Sequence, residues 1–231
     1  MQARAAVPLT MLCCAMGQAL AHGVADGDAA FIAQSAGPHI VPFMYLGAKH
    51  MVTGYDHLLF LLGVIYCLEH MRAVALYVTL FAAGHSVTLL SGVLGGFSVS
   101  PWLIDAIIGL SVAYKAFDNL DSFRTVFGVA PNRKWAVFIF GLFHGLGLAG
   151  KLQELQLSPH GLLVNLLAFH VGIELGQLCA LALMLALLAA LRRGAAQRPG
   201  RALAVNTLLM AAGFVLAACQ LSGYFLQQGI A

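Results

Sequence analysis

The stretch Lys49–Gly63, KHMVTGYDHLLFLLG, places His50, Asp56 and His57 at the mouth of an apolar run. Such polar side chains are costly to bury in a membrane, so their grouping there indicates a specific role. Adjacent residues on a regular helix diverge by about 100°. Because Gly54 permits an irregular backbone, we expect the chain near it to aim all three side chains at one point.

The composition around this stretch is that of an integral membrane protein. Of the 231 residues, 61% are hydrophobic and 9% are charged, and the mean hydropathy is +0.88. Soluble domains are usually ~25% charged. The net charge of +3 is small and its basic residues flank apolar runs, so nucleic acid is not an expected partner. The five cysteines form no CxxC pair, which argues against disulfides and thiolate metal sites.

The apolar runs predict an all-α integral membrane protein with six transmembrane helices after a cleavable signal peptide. Residues 1–21 have one basic residue, an apolar core and the small-residue ending Ala19-Leu20-Ala21, which is typical of a signal peptide, with an uncleaved anchor as the alternative. Residues 22–41 are predicted to form a short extracytoplasmic segment, and residues 42–231 a single six-helix domain. Each run approaches the ~20 residues that a span needs, and the runs are 52–69, 73–95, 101–120, 135–152, 160–191 and 202–226.

The basic residues predict how the helices are oriented. If the mature N-terminus is outside, eight Lys and Arg residues lie on inner connections and two on outer ones. This distribution fits the positive-inside rule. We therefore expect a bacterial inner-membrane protein with both mature termini in the periplasm.

Two runs have unusual features. The fifth is longer than a bilayer requires, so we expect it to tilt, to project beyond the membrane, or to bend at Gly172 or Gly176. The fourth is rich in glycine, which predicts either close approach of a neighbouring helix or an irregular helix.

Ionisable residues inside spans are candidates for function. Imidazole and carboxylate together suit nickel, cobalt, zinc or copper. We expect an outer site with Asp56 and His57 and a central site further in, although a lone histidine such as His85 is more often a packing residue. The candidate metal ligands are His50, Asp56, His57, His85, His144, His170 and Glu174. The candidates for orienting ligands or lining the path are Asp105, Gln177, Ser86 and Thr88.

Two further expectations concern a polar pair in the third run and the N-terminus that would follow signal-peptide cleavage. Lys115 and Asp118 lie toward the inner end of the third run, where they are expected to form a local pair or to reach the interface. Cleavage after Ala21 would make His22 the N-terminal residue, whose amine and imidazole together could chelate copper or nickel.

The motif His50-x5-Asp56-His57 resembles the first-helix signature of the HupE/UreJ family of hydrogenase and urease accessory proteins. Further matches are GHSVTLL (84–90), FGLFHGLGLAG (140–150) and FHVGIELGQ (169–177), and they resemble the second branch of that family. The resemblance implies a small six-helix permease with a cleavable signal peptide, implicated in nickel or cobalt uptake. It also implies metal-handling roles for residues at matching positions, which are His50, Asp56, His57, His85, His144 and Glu174.

The chain departs from the family pattern at two places. His170 stands where this branch usually has asparagine, and GLGLAGK lacks the glutamate that the other branch carries after its FHG string. His170 could add a ligand or alter the metal preferred, and Glu174 on the next helix could supply the missing carboxylate.

Three functions remain open from the sequence. The first is a permease whose substrate is a divalent transition metal ion, serving a metalloenzyme maturation system. The second is an intramembrane metal-dependent hydrolase with Glu174 or Asp56 as base. The third is a membrane metal-binding accessory or sensor protein. All three functions place the protein in a lipid bilayer, and all three are compatible with a homo-oligomer.

Overall fold

The computed structural model describes residues 31–32, 35, 37–68, 70–97, 99–154, 158–193 and 200–229. These residues form helices and no strands, which confirms the all-α prediction. The predicted signal peptide and His22 lie outside the described residues. The helices are α1 (Ile40–Thr53), α2 (Tyr55–Tyr66), α3 (Met71–Gly95), α4 (Pro101–Asn119), α5 (Ser122–Phe127), α6 (Arg133–Glu154), α7 (Leu162–Arg193) and α8 (Gly200–Gln227).

Within the described part of the chain, four helices are long and apolar enough to cross a membrane, namely α3, α6, α7 over Leu162–Ala190, and α8. Helix α2 is apolar but shorter. Helix α4 carries Asp105, Lys115 and Asp118 and is not among the four. The protein is therefore a membrane-type helical protein, while the count of six spans stays a prediction.

The first predicted run, 52–69, contains α2, and the structure adds the helix α1 ahead of it. The helix begins at Ile40, twelve residues before the expected position 52, and it is interrupted at Gly54. Lys49 and His50 lower the hydropathy of α1, so an apolar run read from the sequence begins only after them. The bounds of the other five runs match α3, α4, α6, α7 and α8 within two residues.

Glycines let three pairs of helices pack backbone to backbone. In the α1–α7 pair, a Cβ on Gly172 would overlap the Met44 carbonyl, and one on Gly176 would lie 2.8 Å from the Ala48 carbonyl oxygen. Residue numbers rise together along this contact, so α1 and α7 run parallel. Gly172 and Gly176, where a bend was one of the three expectations, lie against α1 within a helix assigned without interruption from Leu162 to Arg193.

The other two pairs follow the same principle in different directions. In the α3–α6 pair, Gly84 lies against the backbone of Gly141 and Leu142, and Gly92 against Ala149, so these helices also run parallel. The glycines of α6 thus mark a close helix contact. In the α4–α8 pair, Gly109 meets Ala217 and Gly213 meets Ala113, so these helices run antiparallel.

Polar side chains join the ends of α2, α4 and α8. Asn119 Nδ2 donates to the Gly63 carbonyl at 2.8 Å and to Asn206 Oδ1 at 2.9 Å. The predicted local pair is confirmed, since Lys115 Nζ lies 2.6 Å from Asp118 Oδ2. Arg133 Nε, at the start of α6, lies 3.1 Å from the other oxygen of the same carboxylate.

Replacing Gly172 with alanine should lower the melting temperature of the purified protein. The added methyl group would press on the Met44 backbone, and overpacking of this kind costs ~1–3 kcal/mol. Gly150→Ala is the matched control, because its nearest contact is Val99 O at 3.9 Å. Scanning fluorimetry in detergent should show the control at or above the wild-type temperature. An unchanged Gly172→Ala would contradict the close α1–α7 packing.

Candidate metal centre

The junction of α1 and α2 is irregular, as the sequence predicted. Gly54 adopts φ −72° and ψ 95°, which is extended backbone between two helices. Its N–H donates to the His50 carbonyl at 2.9 Å, and its own carbonyl accepts from the Leu58 N–H at 3.1 Å. A Cβ on Gly54 would lie 2.8 Å from His57 Nδ1. Glycine therefore leaves the space into which the His57 ring packs.

Asp56 holds His57 in place. Its Oδ1 accepts the His57 backbone N–H at 2.8 Å and lies 3.0 Å from His57 Nδ1. The carboxylate thus satisfies an N–H of the first turn of α2 and orients the ring. The contact assigns the ring proton to Nδ1 and the lone pair to Nε2. A carboxylate behind an imidazole is the usual support of a metal-bound histidine.

Four histidines from four helices form one buried group, called the histidine cluster below: His50 on α1, His57 on α2, His85 on α3 and His144 on α6. The His57 ring centre lies 5.0 Å from that of His144, 5.3 Å from that of His50 and 6.1 Å from that of His85. All four side chains are buried, and His144 is 0% exposed. The structure therefore joins residues that are far apart in sequence.

This arrangement corrects the expectation of two sites at different depths. His57 was assigned to an outer site and His85 and His144 to a central one, yet their rings are in contact. The reason is the early start of α1. With α1 ahead of it, the break at Gly54 falls midway along the combined α1–α2 segment and brings His57 to the level of His85 and His144.

The spacing of the cluster suits shared coordination. Two imidazoles bound to one ion through nitrogens at about 2.1 Å have ring centres roughly 5 Å apart. His144 Nδ1 donates to the Phe140 carbonyl at 2.8 Å, so its lone pair is on Nε2. That Nε2 is buried without a hydrogen-bond partner, as are both ring nitrogens of His85.

The ligand atoms do not converge in this conformation. Among the described residues, no group of three or more His, Cys, Asp or Glu side chains is arranged to hold a metal ion. The ring centres of His50 and His144 nevertheless lie at a suitable spacing from that of His57.

His170 and Glu174 stand apart from the ring contacts of the cluster. His170 Nε2 lies 3.1 Å from Glu174 Oε1 and 2.9 Å from Ser86 Oγ, where α7 meets α3. The Glu174 side chain is 52% exposed. These two candidate ligands therefore form a separate group at the side of the bundle.

The remaining candidates have structural surroundings of their own. Thr88 Oγ1 donates to the Leu142 carbonyl at 2.6 Å and so links α3 to α6. Gln177 is 2% exposed, and its Nε2 has no hydrogen-bond partner. Asp105 Oδ2 lies 2.9 Å from Lys151 Nζ, whereas Asp56 is the carboxylate that lies against an imidazole of the histidine cluster.

Lys151 was not a candidate from the sequence. It follows His144 by seven residues, which places both on one face of α6 about 10 Å apart along the axis. That two-turn spacing is the signal that could have identified it. The Asp105–Lys151 pair thus lies beyond the cluster at the end of α6 opposite to Arg133.

These features define a helical membrane-type protein with a buried multi-helix histidine cluster. A family model described as "HupE / UreJ protein" matches residues 26–228. The chain therefore belongs to the HupE/UreJ family, which is related to nickel and cobalt accessory proteins and permeases. No match was found among curated proteins or among solved structures.

Asp56→Asn should weaken nickel binding to the purified protein by ~10–100-fold, the usual effect of losing the carboxylate behind a metal-bound imidazole. The variant keeps the side-chain shape while it removes the negative charge next to His57. Titration calorimetry with nickel measures the affinity, and Glu154→Gln, at the exposed end of α6, is the control. Equal affinities for Asp56→Asn and the wild type would show that this carboxylate does not support a ligand.

Proposed function

We propose that the protein is a permease that carries a divalent transition metal ion, nickel or cobalt, across the bacterial inner membrane, with the histidine cluster as its binding site. The observation that carries this proposal is the packing of three imidazoles from separate helices around His57. A site shared by four helices is suited to transport, because relative movement of the helices can both assemble and open it.

The energetics of the cluster support a ligand. A buried polar atom without a hydrogen bond costs about 1–3 kcal/mol. His85 contributes two such nitrogens and His144 one. Coordination would give His144 Nε2 and one His85 nitrogen a partner, so a bound ion would offset part of this cost.

The chemistry of the ligands favours the metals that the family is related to. Imidazole nitrogens suit nickel, cobalt, copper and zinc better than magnesium or calcium, which take oxygen ligands. Among the four metals that suit imidazole, the family's relation to nickel and cobalt favours those two. We further propose that the transported metal supplies a metalloenzyme maturation system.

We further propose six crossings with both mature termini in the periplasm, after removal of residues 1–21. The α1–α2 segment would form the first crossing and α4 the third. In a chain that alternates direction, the first and fifth crossings run parallel, as do the second and fourth, whereas the third and sixth run antiparallel. The pairs α1–α7, α3–α6 and α4–α8 have these relative directions, which supports the proposal.

His57→Ala and His144→Ala should each abolish uptake of radioactive nickel or cobalt into proteoliposomes, because each removes an imidazole at the centre of the cluster. His160→Ala is the control, since His160 is exposed in a connection outside the cluster. Wild-type rates in both cluster variants would refute the proposed site. Tightly bound stoichiometric metal without flux, together with turnover of a lipid or peptide, would instead favour the metal-dependent hydrolase.

A further inference from the structure

Three phenylalanines cover one side of the histidine cluster. Phe60 follows His57 by three residues on α2, whereas Phe81 and Phe140 precede His85 and His144 by four residues on α3 and α6. The Phe60 ring centre lies 5.2 Å from that of Phe81 and 5.9 Å from that of Phe140. These three residues are called the aromatic plug below.

The plug lies directly against the cluster. The ring centre of His144 is 4.9 Å from that of Phe81 and 5.3 Å from that of Phe60. Phe60 and Phe81 are buried, with exposures of 1% and 6%. An ion that left the cluster in this direction would exchange imidazole nitrogens for aromatic carbon, which cannot replace its ligands or its water.

Beyond the plug, aromatic contacts lead to an open cleft. Tyr114 lies 5.1 Å from Phe140 and 4.7 Å from Phe123, measured between ring centres. Phe123 lines a cleft of about 280 Å³ between the end of α4 and the start of α6. The cleft also carries Asp118, Asp121, Arg124 and Arg133. Polar surface thus resumes immediately after the aromatic stretch.

The two sides of the cluster differ in chemistry. On the side away from the cleft, the Asp105–Lys151 pair is polar and Lys151 is partly exposed. On the cleft side, the barrier consists of close-packed rings. The cluster is therefore shut toward the cleft in this conformation.

We propose that the aromatic plug is the gate on the release side of the metal path, and that the cleft is the vestibule into which the ion passes. This inference rests on the proposed transport function. Displacement of the Phe60, Phe81 and Phe140 rings would connect the cluster to the vestibule, and their return would prevent a continuous pore.

The gate can be tested in the resting protein by the accessibility of a cysteine in the cluster. His144→Cys is placed in a chain whose five cysteines are replaced by serine, and a charged, membrane-impermeant methanethiosulfonate is added to either face of vesicles. An Asp121→Cys chain in the same background identifies the face on which the cleft opens. With the plug intact, the cysteine at position 144 should resist the reagent from the cleft face.

Adding Phe140→Ala should make that cysteine reactive from the cleft face and leave its reactivity from the other face unchanged. Phe140 is only partly buried, which favours folding of the variant, and Phe81→Leu is a second, milder opening of the same plug. Phe43→Ala is the control, because Phe43 is a buried ring on α1 outside the plug. Equal reactivity from the cleft face with and without the plug substitutions would overturn the proposal.

Measurements of ion flux distinguish a failure of the proposed gate from a failure of the proposed transport function. In proteoliposomes, Phe140→Ala with the native histidines should admit sodium faster than the wild type does. Wild-type nickel flux with no sodium leak in either plug variant would overturn the gate alone. Absence of nickel flux in the wild type, together with a plug-dependent change in cysteine reactivity, would overturn the transport function and leave the plug as the barrier.

Discussion

An interruption between two helices leaves backbone groups that need hydrogen-bond partners, and the structure around the histidine cluster depends on how Gly54 and Asp56 provide them. Two backbone hydrogen bonds remain at the break, since the Gly54 N–H donates to the His50 carbonyl and the Gly54 carbonyl accepts from the Leu58 N–H. Asp56 then satisfies the His57 N–H and holds the His57 imidazole with the same oxygen. One carboxylate therefore stabilises the start of α2 and directs the ring that the other three histidines contact.

Close glycine contacts provide the frame for this arrangement. Three pairs of helices approach so closely that an added Cβ at several glycines would meet the partner's backbone. Gly145 lies against the His85 carbonyl, so the same α3–α6 contact also determines the distance between His85 and His144. Packing of this kind leaves little freedom within a pair. The cluster lies where α2 meets the α3–α6 pair.

Much of the fold could be predicted from the sequence, because helix length and composition are local properties. Five of the six apolar runs match helices, and the pairing of Lys115 with Asp118, one turn apart, was correctly expected. The first helix was not correctly predicted, because Lys49 and His50 lower the hydropathy of α1. The misplaced start also put His57 at the wrong depth.

The candidate site was predictable in its residues and not in its grouping. The free-energy cost of placing an ionisable side chain in a membrane is judged one residue at a time, and on that basis the histidines were identified. This cost does not predict contacts, such as those of His170 with Ser86 and Glu174 at the side of the bundle. Asp105 likewise lies against Lys151, which no local pattern required. Partner choice between helices depends on which faces pack together, and helical periodicity alone does not determine it.

The parallel pairs bear on the order in which the protein is built. Parallel neighbours cannot be joined by a tight hairpin, and α3 and α6 are separated in the chain by α4 and α5. A nascent chain that ends before α6 already contains His50, His57 and His85 but lacks His144 and the helix against which α3 packs. The cluster therefore requires α3 and α6 to associate across the intervening α4 and α5. A chain that ends before α6 consequently lacks the complete histidine cluster, so the four imidazoles come together only after helices distant in the sequence have associated.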